Sequence, residues 1–381
     1  MQEDLGPSTV IAPRPDVRIR RTAEGYLVSL ASGPAHALSE SGSFIWRAID
    51  GQRTVADLAA LVTMEYDVDE REALEDTTAL VAGLLDLGLI HDSFKMESFF
   101  VNAATTLRST RGDVPIKPGV AELGFAPDEL CRKLEGRELL PEVCQAVFVA
   151  GSVARGWQHA LSDIDIYVVS TDAWTGDTDG FNTVSLEPSV IPTIGLDLDG
   201  QRVELRYWQD TQVTQVFAKA TWSQYRMSDP LGQKIGDSEL ALLVRLDSAL
   251  ILSGGDWVES RRAELASSAF RKMMVLRSLE QMDSLVSDVS GMTESGDVAS
   301  AVLAAQGALA AAADAVIVHG GEYSLDAKWR ARRLALTDSS LLSAKQYWEL
   351  VTMQSYEPTD PVAWISSVLN LCRQVALDVE T

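Results

Sequence analysis

Cysteine is scarce in this sequence of 381 residues, and the three that occur, Cys131, Cys144 and Cys372, lie far apart. They form no CxxC pair and are too few for a disulfide framework in a chain of this size. The first fifteen residues also lack the basic start and apolar core of a secretory signal. These absences favour a reducing, cytoplasmic setting.

Positive charge is also scarce. The sequence carries 32 lysines and arginines against 55 acidic residues, which gives a formal net charge of −23. A field of this sign repels polyanions, so we do not expect long nucleic acids or acidic membrane surfaces as partners. The four histidines are isolated from one another along the sequence, and none is assigned a catalytic or metal-binding role.

Long apolar runs are nearly absent. The longest uncharged stretch of interest, Val298–Ala313, has sixteen residues and is mostly alanine, and Asp314 ends it. Because it is shorter than a bilayer span and alanine contributes little to insertion, the stretch predicts a buried helix and no membrane span.

The length predicts two or three folded units, and the pattern along the chain favours three. We predict an α+β multidomain protein with an N-terminal winged-helix domain, an α/β core with a mixed sheet, and a C-terminal helical bundle. The predicted segments are a loose arm (1–16), the winged-helix domain (17–91), a connecting region (92–132), the α/β core (133–236) and the bundle (237–381).

Within the first domain, short alternating strands precede three helices. Strands are predicted at 17–21, 26–30 and 35–38. Ser39 can cap the first helix, Thr54 with Asp57 resembles a capping box for the second, and the third runs from about residue 69 to a stop at Gly88.

The later segments read as strand, turn, helix and strand, then a hairpin and helices. Buried strands are predicted at 146–150 and 164–169, a helix at 152–161 between them, and a hairpin around the turn Asp199-Gly200. The helices that follow are predicted at 237–252, 257–285, 298–318 and after Pro361.

The stretch Val149–Val168 carries the chemistry. Asp163 and Asp165 start a strand two residues apart, so both side chains point to one face, where their like charges favour bound cations. Carboxylate oxygens are ligands that Mg²⁺ prefers. Gly151-Ser152 ends the preceding strand, lets the backbone approach a phosphate and opens a helix. A triphosphate and metal ions are expected to meet there.

This stretch, a hydrophobic strand, Gly-Ser, ten residues and then Asp-x-Asp between hydrophobics, resembles the signature of the DNA polymerase beta-type nucleotidyltransferase superfamily. The resemblance covers about residues 144–335. It implies that Asp163 and Asp165 hold two Mg²⁺ ions over the triphosphate, with ATP or another nucleoside triphosphate as co-substrate. It places the third carboxylate at Glu204, which would bind one metal ion and help deprotonate the acceptor hydroxyl. Asp197 and Asp199 compete with Glu204 for that role.

Basic side chains are secondary candidates for the nucleotide. Gly151, Ser152 and Arg155 are expected to contact phosphates, and Arg206 lies near enough in sequence to do so. Lys328, in a basic stretch of an acidic protein, corresponds to a lysine that reaches back to the nucleotide in small-molecule nucleotidyltransferases, which this region resembles weakly. A solvated basic helix face is the alternative.

Residues 17–91 resemble a second family, the PqqD-like domains, through VRIRRTAEGYLVSL, AHALSESGSFIWRAIDGQRTVADLAALV and a last helix ending LLDLGLI. That resemblance implies a winged-helix recognition element that binds the leader of a ribosomally made precursor peptide against an edge strand and the third helix. The expected peptide-binding residues are Tyr26, Val28, Leu30, Leu74, Thr77 and Val81. The alternative is a scaffold used for dimerisation, for DNA binding or to brace the enzyme.

Three functions follow from these patterns. The first is transfer of a nucleoside monophosphate, AMP from ATP, to a hydroxyl of a recruited peptide in ribosomal peptide natural-product biosynthesis. The second is modification of a small molecule such as an antibiotic or sugar hydroxyl, and the third is an inactive nucleotide-binding scaffold. The sequence leaves the nucleobase, the acceptor, the preferred metal and the oligomeric state open.

Overall fold

The structure is a computed structural model that describes residues 5–14, 16–30, 33–92, 126–159, 162–226, 235–323, 326–337 and 339–381. The strands are β1 (Ile11–Pro13), β2 (Arg18–Thr22), β3 (Gly25–Ser29), β4 (His36–Ala37), β5 (Ile90–Asp92), β6 (Cys144–Ala150), β7 (Ile164–Ser170), β8 (Gly180–Thr183), β9 (Val190–Leu198), β10 (Gln201–Gln209) and β11 (Leu250–Ser253).

Helices make up most of the rest of the described chain. They are α1 (Glu40–Ala48), α2 (Val55–Glu65), α3 (Glu70–Asp86), α4 (Pro127–Gly136), α5 (Gly151–Ala154), α6 (Asp210–Lys219), α7 (Trp222–Arg226), α8 (Asp237–Asp247), α9 (Gly255–Ser267), α10 (Phe270–Glu294), α11 (Val298–His319), α12 (Arg330–Leu336), α13 (Ala344–Val351) and α14 (Pro361–Asp378).

The chain divides into two compact units, one formed by residues 1–115 with 274–381 and the other by residues 116–273. The sequence predicted three domains, with a boundary at residue 237. The structure instead keeps residues 237–273 with the α/β unit, because β11 joins its sheet.

In the first unit, β2, β3 and β4 form an antiparallel sheet in that order, and β1 pairs with β5. Helices α1 and α2 have the predicted caps, since the Ser39 side chain accepts a backbone N–H and Thr54 and Asp57 form a complete capping box, and Asp69 caps α3 in the same way as Ser39 caps α1. These caps fix where the three helices begin.

Alternation along β3 separates the core from the surface. Tyr26 and Val28 are buried, whereas Leu27 between them is 36% exposed. Because successive strand side chains point to opposite faces, one face of β3 packs inward and the other meets solvent.

The last residues of the chain occupy the outer side of β2. Arg21 forms a parallel β-bridge with Glu380, and the backbone N–H of Thr381 donates to the carbonyl of Arg21 at 2.9 Å. The Tyr26 hydroxyl donates to the carbonyl of Leu377 at 2.8 Å. The N-terminal sheet is therefore tied to α14 through backbone groups as well as side chains.

Helix α11 contains the uncharged stretch noted in the sequence. Within the described residues it is the one helix long and apolar enough to cross a membrane, yet 67% of its most apolar window is buried in the fold. It packs against α14, as expected for a core helix.

The second unit contains a six-stranded sheet ordered β11-β6-β7-β10-β9-β8. The β7–β10 pair is parallel, and each of the other neighbouring pairs is antiparallel. One face of the sheet carries an apolar core that includes Ile164, Ile166 and Leu205. The side chains at the positions between them therefore lie on the opposite face.

Two predicted helices in this unit are wrong in extent. The helix predicted at 152–161 ends as α5 at Ala154, and Gly156 has a left-handed φ of 64°. The helix predicted at 237–252 ends as α8 at Asp247, and Leu250 and Ile251 pair with β6 instead. A short apolar run is compatible with a helix or with a strand. Here the run forms a strand because it can pair with the edge of β6.

The connecting region predicted at 92–132 lies mostly outside the described residues. Its described end enters α4, whose Leu130 and Leu134 are buried in the apolar core of the second unit. The end of the predicted connecting region, from Pro127 to residue 132, therefore belongs to the α/β unit.

Gly254, between β11 and α9, allows a stability prediction. Its φ is +71°, and a Cβ there would overlap the carbonyl oxygen of Gln145 and lie 2.7 Å from the Cα of Ala146. Since backbone atoms cannot move aside cheaply, we expect Gly254→Ala to lower the free energy of unfolding by about 2–4 kcal/mol, measured by chemical denaturation.

The neighbouring glycine provides the control. A Cβ at Gly255 would meet nothing within 4 Å, and this residue starts α9. Gly255→Ala should therefore leave stability unchanged or raise it by up to about 1 kcal/mol. Equal losses in the two variants would contradict the close packing of β6 against this turn.

A buried ion pair inside the first unit gives a second prediction. Arg20 on β2 lies 2.7 Å from Asp283 on α10, and the Asp283 side chain is 7% exposed. Burial raises the pKa of Asp283, and the charge of Arg20 opposes that shift. Arg20→Gln should destabilise the unit by about 2–4 kcal/mol near neutral pH, because it leaves a buried carboxylate without its partner.

The pH dependence of this loss has a definite sign. Without Arg20, the folded-state pKa of Asp283 rises further above its unfolded value, so stability falls as pH rises through that pKa. We expect Arg20→Gln to cost less at acidic than at neutral pH in thermal unfolding, and the double variant with Asp283→Asn to recover most of the loss. A pH-independent loss that the second change does not relieve would refute this account.

Candidate functional site

Gly151 and Asp165 approach closely where β6 ends. Ala150 and Asp165 are register partners of β6 and β7, and a Cβ built at Gly151 would lie 2.5 Å from Asp165 Oδ2. Gly151 also has a left-handed φ of 71°. The glycine is therefore required twice here, once for the backbone angle and once for the space beside the carboxylate.

The parallel pairing of β7 and β10 places Asp165 opposite Glu204. Both side chains lie on the sheet face opposite the apolar core, since the flanking residues Ile164, Ile166 and Leu205 are buried in it. Asp163 immediately precedes β7 and is partly buried. The register therefore brings Asp165 beside both Glu204 and Gly151. These residues span 53 positions of the sequence, which does not itself reveal that they meet.

Arg206 bridges the two carboxylates. Its Nη1 lies 2.7 Å from Asp165 Oδ1 and its Nη2 lies 2.8 Å from Glu204 Oε1. The side chains of Arg206 and Asp165 are 15% and 17% exposed, so this pair is largely shielded from water, whereas Glu204 is 36% exposed. One guanidinium thus contacts both carboxylates and offsets part of their negative charge.

A second arginine, which sequence reasoning missed, approaches from α8. Arg245 Nη1 donates to the Tyr167 hydroxyl at 2.8 Å and lies 3.6 Å from Asp165 Oδ1. The guanidinium carbons of Arg206 and Arg245 lie 5.5 and 5.7 Å from the centre of the Tyr167 ring. The only sequence signal for this group is the alternation that puts Arg206 and Tyr167 on the same face as the acids.

Tyr167 forms the apolar floor of this cluster. It is 1% exposed and stacks on Phe148 with ring centres 5.2 Å apart. Burial raises its pKa, and the nearby charges of Arg245 and Arg206 oppose the shift. The hydroxyl therefore stays protonated at neutral pH and holds Arg245 in position.

A cavity of about 200 Å³ opens beside the cluster. Its walls are rich in hydrogen-bond donors, and Trp208, which also lines it, is 1% exposed with an indole N–H that lacks a partner among the described residues. The lining residues are Tyr167, Asn182, Arg206, Trp208, Asp237, Ser238, Ala241 and Arg245.

The residues present match a hard divalent cation in the type of donor but not in their number. Asp165 and Glu204 offer carboxylate oxygens side by side, and the space between them already attracts a positive group, Arg206. Among the described residues, however, no three His, Cys, Asp or Glu side chains are grouped closely enough to hold a metal ion. Metal binding by Asp163, Asp165 and Glu204 therefore stays a prediction.

The remaining predicted nucleotide contacts are Arg155, Lys328 and Ser152. The Arg155 guanidinium lies 5.2 Å from the ring centre of Trp157. Lys328 belongs to the first unit, is exposed, and lies 5.5 Å from the ring centre of Trp329. Ser152 is in the short helix α5, next to Gly151. Their roles stay predictions.

The predicted peptide-binding residues divide by exposure. Tyr26, Val28, Thr77 and Val81 are buried, because each lies on the inward face of β3 or α3, so a peptide on the surface cannot touch them. Leu30 and Leu74 are partly exposed, and their contact with a peptide stays a prediction. Leu27, between Tyr26 and Val28, faces outward and is exposed.

Comparison with known proteins supports the N-terminal resemblance. Residues 24–90 match the family described as coenzyme PQQ synthesis protein D (PqqD). No curated protein matches the chain.

Among solved structures, the chain is similar to a nucleotidyltransferase-like protein from Exiguobacterium sibiricum 255-15. The two are 13% identical with a TM-score of 0.38, and the similarity covers 66% of this chain and 74% of that one. The chain thus contains a PqqD domain at residues 24–90, and the rest of its described residues form a mixed α/β sheet and helices.

Proposed function

We propose that this protein is a metal-dependent nucleotidyltransferase that transfers a nucleoside monophosphate, AMP from ATP, to a hydroxyl of a peptide recruited by its PqqD domain. The observation that carries the catalytic half is the register of β7 and β10, which sets Asp165 beside Glu204 and next to Gly151. The proposed setting is the cytoplasmic biosynthesis of a ribosomally made, modified peptide.

In this proposal Asp163, Asp165 and Glu204 are the ligands of Mg²⁺. When bound, Mg²⁺ would neutralise the triphosphate and lower the pKa of the acceptor hydroxyl. Glu204, whose side chain is 36% exposed, would accept the proton of that hydroxyl. Gly151 leaves room for a phosphate beside Asp165 because it carries no side chain.

Recruitment of a peptide is supported by the PqqD match at residues 24–90. A peptide strand can join a sheet at an unpaired edge. In the N-terminal sheet the outer side of β2 is taken by Glu380 and Thr381, so β4 is the edge that has no neighbouring strand among the described residues. The partly exposed Leu27, Leu30 and Leu74 offer apolar contacts on β3, after it and on α3.

The alternative of an inactive scaffold is favoured by one observation, the ion pairs that Arg206 forms with both Asp165 and Glu204. A protein that only binds nucleotide would give no covalent product with any acceptor. The first experiment below separates these two functions.

The catalytic assignment predicts that Asp165→Asn abolishes transfer. Removing one carboxylate charge weakens cation binding, so we expect the rate to fall at least about a hundredfold. The measurement is intact-mass analysis after incubation with Mg²⁺, α-labelled nucleoside triphosphates and peptides from short reading frames beside the gene. The expected product gains one nucleoside monophosphate.

Asp177→Asn is the matched control, because Asp177 lies in an exposed loop of the same unit and the substitution removes the same charge. It should transfer at the rate of the unchanged protein. Retained turnover in Asp165→Asn would refute the site, and label on small hydroxyl compounds alone would replace the peptide by a small-molecule acceptor. No product with any acceptor would favour the scaffold.

The recruitment assignment predicts that Ala37→Pro weakens peptide binding. The Leu38 N–H donates to the Tyr26 carbonyl, so by alternation the N–H of Ala37 points away from β3, toward the open edge. Proline removes that donor without breaking the existing ladder, and we expect a loss of affinity of about tenfold by fluorescence anisotropy with the same peptides.

Ala37→Val, which keeps the N–H, is the control and should bind as the unchanged protein does. Thermal unfolding of each variant checks the fold. Equal affinity in the proline and valine variants would place the peptide elsewhere or remove it as a partner.

A further inference from the structure

The six-stranded sheet of the second unit ends at β8. Within the described residues, β8 pairs with β9 on one side and has no strand on the other. The register partner of Phe181 is Pro192, which has no N–H to donate. The Val184 N–H donates to the carbonyl of Ser189, just before β9, at 2.9 Å. Because alternate residues of a strand bond to the same side, the N–H and carbonyl groups of Phe181 and Thr183 point away from β9.

Apolar side chains beside this edge are exposed. Phe181 is 62% exposed and Val190 is 40% exposed. Thr183 lies opposite Val190 in the register, so Phe181 and Val190 are diagonal neighbours on one face of the sheet. Edge strands are commonly protected by lysine or proline, and β8 contains neither. Unpaired backbone groups beside exposed apolar side chains are the features that bind an added strand.

The other face of β8 adjoins the candidate site. Asn182, which alternates with Phe181 and Thr183, lines the same cavity as Arg206. Strands in a sheet lie about 4.8 Å apart, so a strand added to β8 would run about 14 Å from β10, which carries Glu204. An extended chain spans about 3.3 Å per residue, so a residue four or five positions beyond the added strand covers that distance.

The surroundings of this edge are acidic. Residues 171–201 contain six acidic residues and no lysine or arginine. Three of the acids, Asp177, Asp179 and Glu187, flank β8 in the sequence and form no ion pair with a described residue. A second copy of the chain at this edge would bring like charges together, whereas a basic strand would be attracted. The local charge therefore favours a basic peptide as the occupant.

We propose that β8 binds a basic, extended segment of the peptide substrate as a seventh strand of this sheet. Alternate side chains of that segment pack on Phe181 and Val190, and the others face the side that Asn182 shares with the candidate site. Lysine or arginine residues of the segment pair with the acids that flank β8. This inference rests on the proposed function and names a substrate surface in the α/β unit, separate from the PqqD domain.

The test uses the full chain and a fluorescein-labelled probe peptide, Lys-Val-Lys-Val-Thr-Val-Lys. Anisotropy should show saturable binding that weakens as salt is raised. The matched peptide with glutamate in place of lysine should bind at least about tenfold more weakly. Amide hydrogen exchange at residues 180–184 should slow when the basic probe is bound, because the outward N–H groups then have partners.

Substitutions on the edge separate backbone pairing from apolar contact. Thr183→Pro should weaken the basic probe about tenfold because it removes an outward N–H, whereas Thr183→Val keeps that donor and should bind as the unchanged protein does. Phe181→Ser should weaken binding about fivefold through lost apolar contact. Its control is Val143→Ser, which removes a side chain that is 53% exposed in the same unit and should change nothing. Thermal unfolding checks the fold of each variant.

Three results would each overturn the proposal: no saturable binding of the basic probe, equal affinity in the proline and valine variants, or unchanged exchange at residues 180–184 in the complex. Exchange that slows there when the protein alone is concentrated would identify a second copy as the occupant and overturn it as well.

The outcome is independent of catalysis. If the probe binds at β8 but no peptide ever gains a nucleoside monophosphate, the surface stands and the transfer fails. If transfer occurs and the KM for the peptide is the same in Thr183→Pro and Thr183→Val, the surface alone is overturned.

Discussion

The site depends on one pairing, the parallel alignment of β7 with β10. It sets Glu204 opposite Asp165, and one residue of slip would turn either carboxylate into the apolar core. The buried residues beside them, Ile164, Ile166 and Leu205, hold the register because a shift by one residue would expose them. The chemistry of the face toward the cavity is thus fixed by hydrophobic packing on the opposite face.

That alignment places two negative charges side by side, and nearby residues of the sheet offset their repulsion. Two carboxylates beside each other need a positive group, and β10 supplies it two residues later with Arg206. Tyr167 on the adjacent strand then offers its ring face to Arg206 and its hydroxyl to Arg245. The two acids, the two arginines and Tyr167 form one connected group with two charges of each sign. A substitution of any member therefore changes the electrostatic environment of the others.

Much of the local structure could be predicted from sequence because its causes are local. The caps at Ser39, Thr54 and Asp69 and the strand of IDIYVV involve residues a few positions apart. The PqqD match at residues 24–90 lies within the predicted module, whereas the winged-helix description of it stays a prediction.

What was missed depends on contacts between distant segments. Strand β11 was predicted as helix because its pairing with β6 cannot be read from an apolar run. Arg245 comes 78 residues after the tyrosine it binds, and no spacing in the sequence announces that contact. The burial of Tyr26 and Val28, which were predicted to contact a peptide, depends on which face of β3 packs inward, and Leu27 lies on the other face.

The bridge between Arg21 and Glu380 has a consequence for how the protein is made. The first unit is assembled from residues 1–115 and 274–381, whereas the second is a continuous segment, residues 116–273. During synthesis the second unit has all of its residues available before the first does, because residues 274–381, which complete the first unit, follow it in the sequence. The sheet of β2, β3 and β4 can therefore complete its packing only after the residues of the α/β unit have been made.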